Sequence, residues 1–241
     1  TIDDDTARIG DHMSPLLTPE GSRILREHGE LSRTGQAISD AHNQCWPEPP
    51  PFTLAIQVEV LLLQRKNEVM LIYVNGQNVR HVRLNARHPA HVTASWLGDS
   101  VGHYEGDTLV VDTVGIAVGP YTTIDRFGTP YTKALHVVER YRPLSYQDAR
   151  AAQERAQKEW PPVGAYPVDA GYRGNGLQLE FTVEDGGVFT MPWSATITYR
   201  RAERKEWEER ICADNVGHYY GATQYYSDKN AHIPTAEKPD F

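Results

Sequence analysis

Trp96-Leu-Gly-Asp-Ser-Val-Gly-His-Tyr-Glu-Gly-Asp-Thr-Leu-Val-Val-Asp-Thr-Val-Gly-Ile116 is the stretch that decides the fold class, because it reads as a β-hairpin. Glu105-Gly106-Asp107 supplies the turn: glycine reaches positive φ without steric cost, and aspartate bonds its own backbone. Beyond the turn, Thr108, Val110, Asp112 and Val114 point to one face, and Leu109, Val111 and Thr113 to the other. The incoming arm carries Asp99, His103, Tyr104 and Glu105 beside Gly98 and Gly102, which let a second backbone or a ligand approach closely. One arm is an ordinary strand. The other is loaded with groups that do chemistry.

Strand signals recur on both sides of this hairpin. Residues 53–64 are apolar and β-branched, and Arg65-Lys-Asn67 turns the chain into Glu68–Val74. Asn75-Gly76 is a two-residue hairpin signal that returns it through Asn78–Leu84. Residues 85–95 form a loop holding His88-Pro-Ala-His91, and a second loop, 117–132, is rich in Gly, Pro and Tyr. Ala134–Arg142 is another strand, and Leu177–Glu184, Trp193–Arg201 and Glu206–Cys212 follow. About eight or nine antiparallel strands joined as consecutive hairpins predict a mainly β protein, an antiparallel up-and-down, lipocalin-like barrel with short marginal helices; a β-sandwich is the alternative. A barrel of roughly eight strands is wide enough for one small ligand.

Helical signals are confined to two places. Thr18 as N-cap and Pro19 in the first turn predict a helix over 19–28, with Gly29 as its stop. Ser145 and Asp148 form a capping box ahead of a run of helix formers that Pro161-Pro162 ends. Its apolar stripe is alanine only, so it is expected to bury little and to act as a surface insertion or lid. The expected organisation is an N-terminal arm with a short helix (1–52), a β-barrel domain (53–215) with the helical insertion at 145–176, and a C-terminal tail (216–241). Cys45-Trp-Pro-Glu-Pro-Pro-Pro-Phe52 is expected to be a stiff, extended connector.

A chain of 241 residues can bury a real core. Its net charge of −8 argues against a phosphate-tracking surface, so no nucleic-acid partner is expected. The longest apolar run, Val60-Leu-Leu-Leu63, is strand-sized, and no membrane insertion is expected. Thirteen tyrosines and five tryptophans offer contact area with a polar handle, as a small-molecule cavity requires, although such rings more often fill a core. Two cysteines, Cys45 and Cys212, allow one disulfide or two buried thiols. A first residue of Thr1 is taken as the mark of a processed or trimmed chain.

The hairpin motif, Ser95-Trp-Leu-Gly-x-Ser-Val-Gly-x-Tyr-Glu-Gly-Asp-Thr-Leu-Val-Val-Asp-Thr113, resembles that of a large, mostly uncharacterised family of bacterial exported β-rich proteins. Arg87-His88-Pro89, Ala134-Leu-His-Val-Val-Glu-Arg140, Phe189-Thr-x-Pro-Trp193, the Cys45-x-Pro element and the late Cys212 fit the same family. The resemblance covers most of residues 45–215 and implies an exported single domain, periplasmic or secreted. It brings no activity with it. The departures are Asp99 where the family usually has His, His103 where it has a basic residue, and Tyr104 where it has Trp. Tyr131-Thr132-Lys133 replaces His-Ser-Glu, and the insertion at 145–176 is extra. Changes at polar positions beside an unchanged framework suggest a divergent member with altered chemistry or ligand.

His88, Asp99, His103 and His136 are the candidate catalytic residues, since an imidazole beside a carboxylate has one tautomer fixed and works as acid or base near neutrality. Asp99 and His103 share a strand face roughly 13 Å apart, so they converge only if the arm bulges. Glu105 and Asp107 are also ordinary turn residues. Tyr73, Tyr104, Tyr121, Tyr131, Arg140 and Trp193 are the candidate substrate-binding groups; Arg140 shares a face with His136, which looks either into the barrel or out of it. His88-x-x-His91 with His81 or His103 is too loose a pattern for a metal, and none is assigned. Ser100 lacks a nucleophile-elbow context, and the glycines of 171–176 lack a phosphate-loop setting.

The leading functional reading is a cofactor-independent acid–base enzyme, a lyase, dehydratase, isomerase or cyclase, acting on a hydrophobic, ring-bearing small molecule in a barrel cavity. A non-catalytic carrier of such a molecule and a hydrolase, metal-assisted or not, are the alternatives. The even cysteine count and the exported relatives predict that Cys45 and Cys212 are bridged. Thiol titration of the unfolded, unreduced chain is therefore expected to find no free thiol; two reactive thiols would remove both the bridge and the main support for export.

Overall fold

The computed structural model describes residues 10–34, 40–42, 44–55, 59–74, 78–119, 122–159 and 171–201. Eight strands form one sheet in sequence order: β1 (Val60–Arg65), β2 (Glu68–Tyr73), β3 (Val79–Leu84), β4 (Asp99–Glu105), β5 (Thr108–Val114), β6 (His136–Leu144), β7 (Gly176–Glu184) and β8 (Trp193–Arg200). The sheet curls into a half-barrel with β1 and β8 as its edges among the described residues. The expected strand 206–212 lies outside them.

The central hairpin forms as its sequence dictates. Glu105 faces Thr108 across the Gly106-Asp107 turn, Gly106 has φ +63°, and the ladder runs without a bulge back to Asp99 opposite Val114. All other neighbours are antiparallel except one. β3 and β4 are parallel over three residue pairs, Val82 to Ser100 through Leu84 to Gly102. This departs from the strictly up-and-down expectation for a simple reason: residues 85–98 carry the chain back along the sheet, a loop long enough for the crossover that parallel pairing needs. The half-barrel therefore consists of two antiparallel meanders, β1–β3 and β4–β8, joined at a short seam.

Period-two alternation sends one side of every strand to the concave core. Val69, Leu71, Val82, Leu109, Val111, Val137, Leu179, Phe181 and Val183 are buried there, together with Leu54, Ile116, Leu135 and Phe189. Among these apolar groups sits a buried polar network. Arg80 and Glu139 are almost wholly buried and form a bidentate ion pair at 2.7 and 3.0 Å. Arg80 also donates to Tyr73 Oη, Ser100 Oγ and Thr113 Oγ1, and Tyr141 donates to Glu139 at 2.6 Å. Burial opposes the charge on Arg80, but Glu139 beside it keeps the guanidinium well above its ordinary pKa. Burial, then the Glu139 charge, raises the Tyr141 phenol, which stays a neutral donor.

Three local expectations are corrected. Residues 53–64 are not one strand: Thr53 N and Leu54 N bond back to Pro49 O and Pro51 O, so the proline-rich connector ends in a helical turn, α2 (Phe52–Ala55), that buries Phe52 and Leu54 before β1 begins. The first helix, α1 (Pro19–Arg33), does start at the Thr18 cap, whose Oγ1 accepts from Gly21 N at 3.2 Å, but it runs through Gly29. Gly21, Leu25 and Gly29 form its buried stripe, so packing overrides the poor helix propensity of glycine. In α3 (Tyr146–Glu159), capped by Ser145 as expected, Ala149 and Ala152 bury against Leu144, and the Ala149 methyl approaches Gly176 on β7. Small residues let the helix lie close to the sheet, so the described part of the insertion is packed down rather than free.

Removing one member of the buried ion pair strands the other charge. Arg80→Met is expected to lower unfolding free energy by about 3–5 kcal/mol, and Arg80→Met combined with Glu139→Leu to recover most of it. Urea titrations of the three chains measure this; an equal loss in single and double variants would show that the pair is not the reason.

Candidate functional site

The other face of the sheet carries the remaining titratable groups. Alternation puts Asp99 on β4, Asp112 on β5, His136 on β6 and Glu184 on β7 on this outer side. Asp112 stands opposite Val138, which makes His136 its diagonal neighbour; Asp99 is two residues from Val101, the residue opposite Asp112 on the other flank. The 85–98 loop lowers His88 over the gap. Asn85 at φ +55° turns the chain out of β3, a conformation asparagine tolerates, and its N–H is held by Gly102 O at 2.7 Å.

The result is a continuous row in which carboxylates alternate with basic side chains. Arg83 donates to both oxygens of Asp99 at 2.7 and 2.8 Å, and His88 Nδ1 lies 2.6 Å from Asp99 Oδ2. His88 Nε2 is 3.1 Å and His136 Nε2 3.0 Å from the same atom, Asp112 Oδ1. His136 Nδ1 stands 3.7 Å from Glu184 Oε2, an ion-pair distance with no hydrogen bond to the nitrogen. His136 remains 34% exposed and His88 23%, so the row is reachable from solvent while half sheltered. With Nε2 donating to Asp112, His136 Nδ1 carries the lone pair, on the Glu184 side of the ring.

Three of the four expected catalytic residues, His88, Asp99 and His136, thus come together, on the outer face rather than in a barrel cavity. His103 does not join them. The regular ladder keeps it four residues along β4 from Asp99, where its Nε2 lies 3.2 Å from Glu105 Oε1. Arg140 shares the outer face with His136, but its guanidinium donates to Glu105, forming a second, more exposed cluster with His103. Arg140, then His103, holds the Glu105 carboxyl below its ordinary value. Glu105 is therefore an ion-pair partner as well as a turn residue.

The expected substrate-binding rings are dispersed. Tyr73 is buried in the Arg80 network, and Tyr131 is buried with its hydroxyl donating to Ala117 O at 2.8 Å. Tyr104 is exposed and donates to Gln64, and Trp193 packs edge-on against Phe181 and Phe189. Tyr121 lies outside the described residues. Sequence reasoning missed Asp112, Arg83 and Glu184. Alternation puts Asp112 on the face opposite Leu109, Val111 and Thr113, yet only the β5–β6 register shows that it meets His136. Among the described residues no group of three or more His, Cys, Asp or Glu side chains is arranged to hold a metal ion. His91 is exposed, and His81 pairs with Glu68.

No protein-family profile matches the chain, and no curated protein or solved structure is detectably similar to it.

A carboxylate with a lowered folded pKa contributes stability above its unfolded pKa and loses it as pH falls through the folded value. Glu105 has this sign. NMR titration of its carboxyl is expected to show a midpoint below the ordinary 4.5 in the parent and a return towards it in Arg140→Ala. An unchanged midpoint would mean that the ion pair does not form in solution.

Proposed function

We propose that the chain is a cofactor-independent acid–base enzyme whose proton-transferring group is His136. The observation that carries this reading is the shared Asp112 oxygen. It fixes His136 with Nε2–H towards the carboxylate and leaves Nδ1, the nitrogen without a hydrogen bond, open to a substrate. His88, Arg83 and Asp99 are positioning residues: Arg83 holds Asp99, Asp99 holds His88, and His88 holds Asp112 from the far side.

A ring-bearing substrate with an acidic C–H would lie on the outer face over Val114 and Val138, both half-buried, which flank Asp112 and His136. His136 Nδ1 takes the proton, and Asp112 and Glu184 stabilise the imidazolium that forms. Returning the proton to another carbon gives isomerase chemistry; attack of the carbanion on a carbonyl carbon of the same molecule, whose oxygen then takes the proton, gives cyclase chemistry; delivering the proton to a departing oxygen gives lyase or dehydratase chemistry. All of these share the first step. The same reading makes the chain a divergent member of the exported bacterial family that its hairpin resembles, working in the periplasm or outside the cell with Cys45 bridged to Cys212. The motif over 95–113 supports that assignment.

The shared first step has a direct assay. In deuterated buffer, the parent is expected to accelerate exchange of the α-protons of 1-indanone, followed by proton NMR. His136→Ala should slow the exchange by ~10²-fold and Asp112→Asn by at least ~10-fold, while His103→Ala leaves it unchanged. These outer-face substitutions are expected to keep the melting temperature within a few degrees, roughly a kcal/mol for a chain of this size. No acceleration by the parent, or equal rates in parent and His136→Ala, would overturn the reading.

A further inference from the structure

The two edges of the half-barrel differ in kind. On β8, Trp193, Ala195, Ile197 and Tyr199 face the core, which leaves Ser194, Thr196, Thr198 and Arg200 outward, and α3 packs against this strand. A polar, partly covered strand is how native sheets protect an edge. β1 lacks those devices. It has no proline, its ladder with β2 runs without a bulge, and its outward side chains are Leu61 and Leu63, 39% and 40% exposed. The apolar strip continues inwards from the edge: Leu61 stands opposite Ile72 and Leu63 opposite Met70, and Ile72 stands opposite Val79, itself 38% exposed.

An edge strand presents a row of N–H and C=O groups that another strand satisfies, so the occupant of this edge is itself extended backbone. Residues opposite one another in an antiparallel ladder share a face, which restricts how a second β1 can be laid against the first. Centred on Leu62, the pairing sets Leu61 against Leu63 of the second copy, Val60 against Gln64, and Glu59 against Arg65. Two-fold symmetry makes each of these contacts twice. Moving the centre to Leu61 sets Glu59 against Leu63, and moving it to Leu63 sets Leu61 against Arg65. Only the Leu62 register matches apolar with apolar and acid with base. Arg65 is 72% exposed and its link to Glu68 is long, 3.9 Å, so it can turn to an acid across the junction.

We propose that β1 is a self-association edge, at which two copies of this chain pair antiparallel about Leu62 and join their sheets. Strand addition supplies the backbone bonds, the leucines supply cross-strand apolar contact, and Glu59 with Arg65 fixes the register. A junction of one short strand is smaller than a standard interface, so the dimer is weak, with a Kd on the order of 10–100 μM. β1 lies five strands from β6, so pairing leaves the His136 row open in both copies. The inference therefore stands apart from the activity of that row.

Sedimentation equilibrium of the full chain tests it over about 5–500 μM, a range that spans the expected Kd. The parent is expected to pass from monomer to dimer and no further. Leu61→Lys with Leu63→Lys should abolish the dimer, while Thr196→Lys on β8 should leave it unchanged. Glu59→Arg and Arg65→Glu each place like charges opposite one another and should each weaken self-association by about tenfold. Mixed together, these two variants place opposite charges at both sites again and should form a heterodimer as tight as the parent dimer. Circular dichroism and melting temperature confirm that each variant is folded. A parent that stays monomeric at about 500 μM would overturn the proposal, as expected were residues 206–212 of the same chain to occupy the edge instead. A dimer that survives the two lysines, or a mixture that associates no better than its components, would overturn it equally.

Discussion

The buried pairing of Arg80 with Glu139 is the constraint on which the two meanders depend. β3 and β4 share only three residue pairs, whereas every other neighbouring pair shares at least five. Yet Arg80 on β3 reaches Ser100 on β4, Thr113 on β5 and Glu139 on β6, and Tyr73 on β2 lies on its other side. One side chain thus ties five strands together across the weakest junction of the sheet. Desolvating such a pair costs several kcal/mol per ion, so its return lies less in net stability than in excluding other registers. A slip of one residue in β3 would turn the guanidinium to solvent and leave Glu139 alone in the core.

The same alternation that buries this pair assigns the chemistry to the opposite face. Each strand contributes to both sides. β5 sends Thr113 inward to Arg80 and Asp112 outward to His136, and β6 sends Glu139 inward and His136 outward. A buried, hydrogen-bonded network behind the sheet therefore fixes the backbone from which the exposed row projects. The positioning of Asp112 relative to His136 is inherited from the core register.

Much of the fold was legible because it rests on local signals: the Gly106 turn, the Thr18 and Ser145 caps, and period-two alternation along β5 and β6. What was hidden depends on pairing between distant strands. Glu139 stood out in sequence only as a carboxylate on the same face as Val137 and Tyr141, and nothing near it named Arg80 as its partner. His88, Asp99 and His136 were readable as chemical groups, but Asp112, which links His88 to His136, showed no signal beyond sharing a strand face with Thr108, Val110 and Val114. His103 was drawn into the site by its nearness to Asp99 in sequence, whereas a regular strand holds residues four apart at a distance. The wholly antiparallel picture failed at β3–β4, because a loop with no periodicity gives no sign of the direction in which it returns.

The short parallel seam also bears on how the chain might be divided. Ladder pairing joins β1–β3 and β4–β8 internally, and the stretch between them, 86–94, makes no strand pairing and is mostly exposed. A backbone break in that stretch would separate two meanders without cutting a strand, leaving Arg80 and Arg83 on one piece and Glu139 and Asp99 on the other. The charges that clasp the seam from both faces would then act as recognition between fragments, so the protein has the layout of a complementation pair. Whether the cut falls before or after His88 would decide which piece brings that imidazole to the row.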